Sequence, residues 1–161
     1  MLSTQIERAS DAGIPVIADS VGDDPVPGVI STSLDGTKQV QEWGKMVASQ
    51  VVADSDGEAN IAVFTITDYP ILNVFTDAFT AQMKTLCPGC RVEMINQQVT
   101  DLGTKTPQSV VSTLQRDPEI NYALFSFGDL VLGVDAALRA AGSRIRCDSP
   151  VRRRRRPTSH H

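Results

Sequence analysis

The residues able to do chemistry are few in this sequence, and their scarcity narrows what it can be. Both histidines, His160 and His161, stand at the very end. A histidine-dependent triad or a histidine metal site in the body of the chain is therefore excluded. Three cysteines remain, two of them in Cys87-Pro88-Gly89-Cys90. Such a CxxC admits three readings. A redox pair needs its first cysteine exposed at a helix N-terminus, and here the motif follows a helical pattern ending near Leu86. A zinc knuckle needs a second pair of ligands, and only Cys147 is left. A structural disulfide closing a helix-to-strand turn fits best. There is no Gly-rich phosphate loop, because Gly142-Ser143-Arg144 does not follow a strand. Asp101, Asp135, Glu93 and Glu119 lack the spacing of a calcium loop and read as solvated surface.

The elements that must position any site are legible between Ala59 and Gly142. Ala59–Thr67 is apolar and β-branched, as a buried strand should be. Pro70 suits the start of a helix over Ile71–Leu86, whose Ile71, Val74, Phe75, Ala78, Phe79 and Met83 recur on one face. Arg91–Gln97 alternates as a strand. Pro107–Arg116 is helical, with Thr106 a candidate N-cap. Asn121–Phe127 is a third strand, Asp129–Ala141 a third helix, and Gly142 its stop. Strands alternating with helices of this length predict an α/β fold of parallel βαβ units. Ligands of such sheets bind beyond the carboxyl ends of the strands, so the loops Thr67-Asp68-Tyr69-Pro70 and Phe127-Gly128-Asp129 matter most. Upstream lie a short amphipathic helix over Thr4–Ala12 stopped by Gly13, a strand Ile14–Ala18, and a loop Val21–Pro27. A strand Gly28–Ser33 and a long helix Thr37–Ala53 come next. That helix carries Val40, Trp43, Met46, Val47 and Val51 on its predicted apolar face.

With 161 residues, 41% hydrophobic and 21% charged, the chain has the composition of one ordinary globular domain. No apolar run reaches the roughly 20 residues of a membrane span. Met1–Gln5 lacks the basic and apolar regions of a signal peptide. The net charge of −4 hides two unlike parts. Residues 1–142 hold eight Lys/Arg and eighteen Asp/Glu, a net −10, whereas residues 143–161 hold seven Arg and one Asp, a net +6. The acidic body is a poor polyanion binder, and no nucleic acid is expected as a partner. The run Arg152–Arg156 has the composition of a nucleic-acid, lipid or import signal. Set beside the βα pattern that stops at Gly142, it reads as a disordered tail foreign to the domain.

The ordered pieces together resemble a known family. Ala9, Ala12-Gly13-Ile14-Pro15-Val16-Ile17 and Asp19-Ser20 are followed by Gly44-Lys45-Met46-Val47-Ala48 and Ala137-Leu138-Arg139-Ala140-Ala141-Gly142. This series resembles the type I periplasmic binding proteins, which include the sugar-binding proteins of ABC transporters and share their lobes with LacI-type repressor ligand domains. The resemblance covers roughly residues 5–142. It implies two α/β lobes closing over a ligand, of which this chain supplies a part. Residues 1–36 would be the end of the first lobe, 37–142 an incomplete second lobe, and 143–161 the tail.

The resemblance also implies a function. The chain would be a fragment of a non-enzymatic solute-binding protein, without a cofactor. It would capture a sugar or similar small polar solute outside the cytoplasm and deliver it to an ABC-transporter permease. A ligand-sensing domain of a transcription regulator is the alternative, followed by a CxxC thiol–disulfide protein. The cleft-facing candidates are Asp19, Ser20, Asp68, Tyr69, Asn73, Phe127 and Asp129. Carboxylates and amides suit bidentate hydroxyl contacts, and aromatic rings suit the C–H face of a sugar. Asn73 falls near a position where relatives often carry Arg, and Gly128 where they often carry Asn. Asp68 and Asp129 could instead cap helices, while Phe127 and Asn73 could be packing and surface residues.

Overall fold

A computed structural model describes residues 3–18, 27–31 and 36–142 of the chain. The first helix, α1 (Ser3–Asp11), is ended by Gly13 in the left-handed region at φ 70°, as its sequence demands. Two three-residue strands come next, β1 (Val16–Ala18) and β2 (Val29–Ser31), paired in parallel and starting two residues and one residue later than the sequence predicts. Then come α2 (Thr37–Ser55), β3 (Asn60–Thr65), α3 (Pro70–Leu86), β4 (Arg91–Asn96), α4 (Lys105–Arg116), β5 (Tyr122–Phe125) and α5 (Val134–Ala140). Asp19, Ser20, most of the predicted Val21–Pro27 loop and the Arg-rich tail lie outside the described residues.

Strands β3, β4 and β5 form one sheet in the order β4-β3-β5, parallel throughout. The expected α/β architecture of parallel βαβ units is therefore present. Central β3 is buried almost along its whole length because both its faces are covered. On one face Ile61 and Val63 pack with Ala48 of α2 and with Phe79 and Met83 of α3. On the other, Ala62 and Phe64 pack with Val110 of α4 and with Val134 and Leu138 of α5, and the Phe64 and Phe125 rings stack at 5.2 Å.

Three sequence expectations need correction. The buried face of α2 is Val40, Gly44 and Ala48, with Val47, Val51 and Val52 beside it, while Trp43 and Met46 are exposed. The cause is Gly44. A Cβ there would lie 2.5 Å from the Phe75 carbonyl oxygen, so α2 turns its smallest residues, and not its largest, toward α3. Second, α4 begins at Lys105, and Thr106 is a buried residue inside it, not its cap. Third, the helix predicted from Asp129 is broken in two. Gly128–Val131 is a 3-10 turn anchored by fully buried Leu130, and Gly133 at φ 77° separates it from α5. That left-handed glycine lets the chain pass over the start of α4, where a Cβ would lie 3.2 Å from the Pro107 ring.

Candidate functional site

The parallel sheet delivers three loops to one edge, at the carboxyl ends of β3, β4 and β5. Each is fixed by the strand it leaves. After β3, buried Ile66 accepts a hydrogen bond from the Tyr69 N–H at 3.2 Å, which folds Thr67 and Asp68 into a tight turn before Pro70 opens α3. The Thr67 peptide is held from both sides. Its N–H donates to Asn96 Oδ1 at 3.0 Å, and its carbonyl accepts from Asn73 Nδ2 at 3.0 Å. After β5, the Ser126 N–H donates to the Phe64 carbonyl at 3.0 Å, and the Ser126 hydroxyl bonds Thr65 Oγ1 at 2.8 Å. After β4, Gln97 is buried and its amide donates to the Asn96 carbonyl and to Ser109 Oγ, both at 3.1 Å.

This scaffold brings the two signalled loops into contact. The Tyr69 and Phe127 rings meet edge to face with centroids 6.2 Å apart and planes at 76°, the arrangement that aromatic quadrupoles favour. Both rings remain partly open to solvent, at 39% and 36% exposure. The two adjacent rings form a small aromatic surface at the rim, open on one side to solvent. Asp68 directly precedes Tyr69 in the chain, Asp129 follows Phe127 by two positions, and both are exposed. Neither caps a helix: Tyr69 and Phe127 occupy the N-cap positions, and no side chain bonds there. Their carboxylates therefore keep their acceptor capacity.

Of the sequence-predicted residues, the structure gathers Asp68, Tyr69, Asn73, Phe127 and Asp129 at one edge. Asn73 is half-buried, and its amide N–H is already used to hold Thr67. Sequence reasoning missed Asn96, Gln97, Thr65 and Ser126, which tie the loops to the strands. The only trace of them in the sequence is a polar residue closing each apolar run.

Cys87 and Cys90 lie at the opposite edge, where α3 ends and β4 begins, and they are joined by a disulfide with Cα atoms 5.3 Å apart. Cys87 is buried in the core, and the Ala59 N–H donates to Cys90 Sγ at 3.3 Å. The cysteines follow the C-terminal end of a helix, where the dipole disfavours a thiolate. Among the described residues no group of three or more His, Cys, Asp or Glu could hold a metal ion, and no helix is long and apolar enough to cross a membrane. An open depression lined by Ser10, Ile14, Val16, Gly28 and Ile30 flanks α1 and the β1–β2 pair, apart from the aromatic edge.

No protein-family model matches the chain, and no curated protein matches it. Solved structures do. A sugar ABC transporter protein from Yersinia enterocolitica superposes with a TM-score of 0.67 at 22% identity, over 87% of this chain and 42% of its own. The 5-methylthioribose transporter solute-binding protein from Thermotoga lettingae gives 0.64 at 23% identity, over 88% and 44%. An arabinose-binding protein from Geobacillus stearothermophilus gives 0.64 at 19%, over 88% and 47%. The chain thus spans less than half the length of each of these proteins. Its fold is that of the type I periplasmic solute-binding proteins of sugar ABC transporters, present in part.

Proposed function

We propose that this chain is part of a solute-binding protein that captures a sugar or similar small polyol for an ABC transporter. The observation that carries this reading is the exposed Tyr69–Phe127 pair flanked by Asp68 and Asp129 at the carboxyl edge of the sheet. An aromatic surface takes the C–H face of a sugar ring, while carboxylates accept from its hydroxyls. The solved structures of like fold support it, since one is an arabinose-binding protein and another is a solute-binding protein with bound allitol. In this reading residues 37–142 are a partial second lobe, residues 1–36 end the first, and residues 143–161 stand outside both. Asp19 and Ser20 would face the same cleft from the first lobe. The complete protein would work outside the cytoplasm, close two lobes over its solute, and dock on a permease.

The test is amide chemical-shift mapping of the 161-residue chain against arabinose, allitol and 5-methylthioribose. Shifts clustered at residues 67–73, 96–97 and 126–130 are expected at millimolar ligand, because one partial lobe supplies only some of the contacts. Shifts scattered over the surface, or confined to the depression beside α1, would overturn the assignment.

A further inference from the structure

We propose that the aromatic edge is built to accept hydrogen bonds, so that it takes neutral or amino-bearing polyhydroxy ligands and turns away uronates and sugar phosphates. This deepens the sugar-binding reading and rests on it. Two observations carry it, one on charge and one on donors.

The charge of the three loops is one-sided. Residues 66–83, 96–104 and 117–138, which include the three edge loops, contain no Lys or Arg. They contain Asp68, Asp101 and Asp129 within the loops. Of the cations that border these stretches, Lys105 is paired with Asp101 at 3.1 Å, Arg116 with Glu93 at 2.8 Å and Arg139 with Asp135 at 3.0 Å. Asp68 and Asp129 make no ion pair with any described residue, so the rim beside the rings carries two uncompensated carboxylates.

Several of the donors are already engaged. The N–H groups of Thr67, Tyr69 and Leu130 donate to Asn96 Oδ1, Ile66 O and Phe127 O, and the Asn73 amide donates to Thr67 O. Pro70 stands at the start of α3 and removes one of the free N–H groups by which a helix N-terminus holds an anion. Acceptors are therefore open and several donors are closed. A hydroxyl or an ammonium supplies what the edge lacks; a carboxylate or phosphate brings only acceptors and a like charge.

The experiment titrates the 161-residue chain with glucose, glucosamine at a pH where its amine is protonated, and glucuronate, following the amides of residues 67–73 and 126–130. Glucosamine should saturate at a concentration about tenfold lower than glucuronate, the size expected for unit charges facing each other across a partly solvated site. In D68N/D129N that gap should close, and because both side chains are exposed and unpartnered the variant keeps the fold. Glucuronate binding as tightly as glucosamine would overturn this inference and leave the sugar reading standing. No clustered shift with any of the three would overturn both. A gap unchanged in D68N/D129N would overturn the assignment to these carboxylates.

Discussion

Replacing Gly44 by alanine should destabilise the chain although alanine is the better helix former. The added Cβ would meet the Phe75 carbonyl oxygen at 2.5 Å, the Phe79 nitrogen at 3.0 Å and Ala78 Cβ at 3.1 Å. Two of these three are main-chain atoms of α3, which have no rotamer by which to withdraw. The helices must separate, and the contact they share covers Ala48, Phe79 and Met83 in the core. Overpacking of this kind costs about 1–3 kcal/mol, toward the upper end where backbone must move. The glycine-to-alanine change returns about 1 kcal/mol of helix propensity. A net loss of about 1–2 kcal/mol remains, which for a chain of this size lowers Tm by about 2–8 °C. Thermal melts by circular dichroism read it directly. Gly89→Ala is the control, since nothing lies within 4 Å of its Cβ position, and its Tm should stay within about 2 °C of the parent. A G44A protein as stable as the parent, or more stable, would show that α2 does not approach α3 at Gly44 and refute the packing described for that face.

Four other outcomes are expected. Thr106→Val should raise stability by about 1 kcal/mol, because the Thr106 hydroxyl is buried without a hydrogen-bond partner; a denaturant midpoint that falls would mean the hydroxyl has one. Reducing Cys87–Cys90 should cost about 2 kcal/mol and leave a cooperative transition, since a bridge of sequence separation 3 closes a very short loop; loss of the transition in reductant would contradict this. The same pair should not reduce insulin at a rate comparable to thioredoxin, given its place after a helix C-terminus; turnover at that rate would make it a redox centre. Tyr69→Ala and Phe127→Ala should each abolish the sugar-induced shifts at the other's loop, while lowering stability by only about 0.5–1.5 kcal/mol; shifts that survive either change would detach the ring pair from the site.

The range of each interaction decided whether the sequence disclosed it. The strand–helix alternation from Ala59 onward is local, written in apolar runs and Pro or Gly punctuation, and the sheet appears where those signals put it. The loops at the carboxyl edge were legible for the same reason, because parallel topology alone assigns that edge. The orientation of α2 was not legible. Trp43 and Met46 look like core by type, and only the approach of α3 at Gly44 turns them outward. Thr106 looks like a cap by its place before Pro107, yet the turn Val99–Asp101 and the Thr104 hydroxyl bonded to Asp101 O move the helix start forward. Gly133 gave no periodicity signal against a continuous helix, since one glycine among apolar residues is compatible with either outcome. Asn96 and Ser126 were invisible as site supports because their partners, Thr67 and Thr65, lie 29 and 61 residues away in the chain.

The strand order β4-β3-β5 also sets a schedule for synthesis. Ile61 of β3 pairs with Val92 on one side and with Tyr122 on the other, 31 and 61 residues later. At about 5–20 residues per second, β3 leaves the ribosome about 3–12 s before the strand that closes its second side. Through that interval Ile61-Ala62-Val63-Phe64-Thr65 is an apolar, uncharged segment with an unpaired edge, the composition from which intermolecular β-pairing starts. Asp54-Ser55-Asp56-Gly57-Glu58, two residues before it, and Asp68 with Pro70 after it place charge and a chain breaker, Gly57 or Pro70, near both ends of that segment. The hazard during synthesis therefore falls between two natural brakes, and substitutions that neutralise Asp56, Glu58 or Asp68 should lower the soluble yield on expression before they measurably lower the Tm of the folded chain.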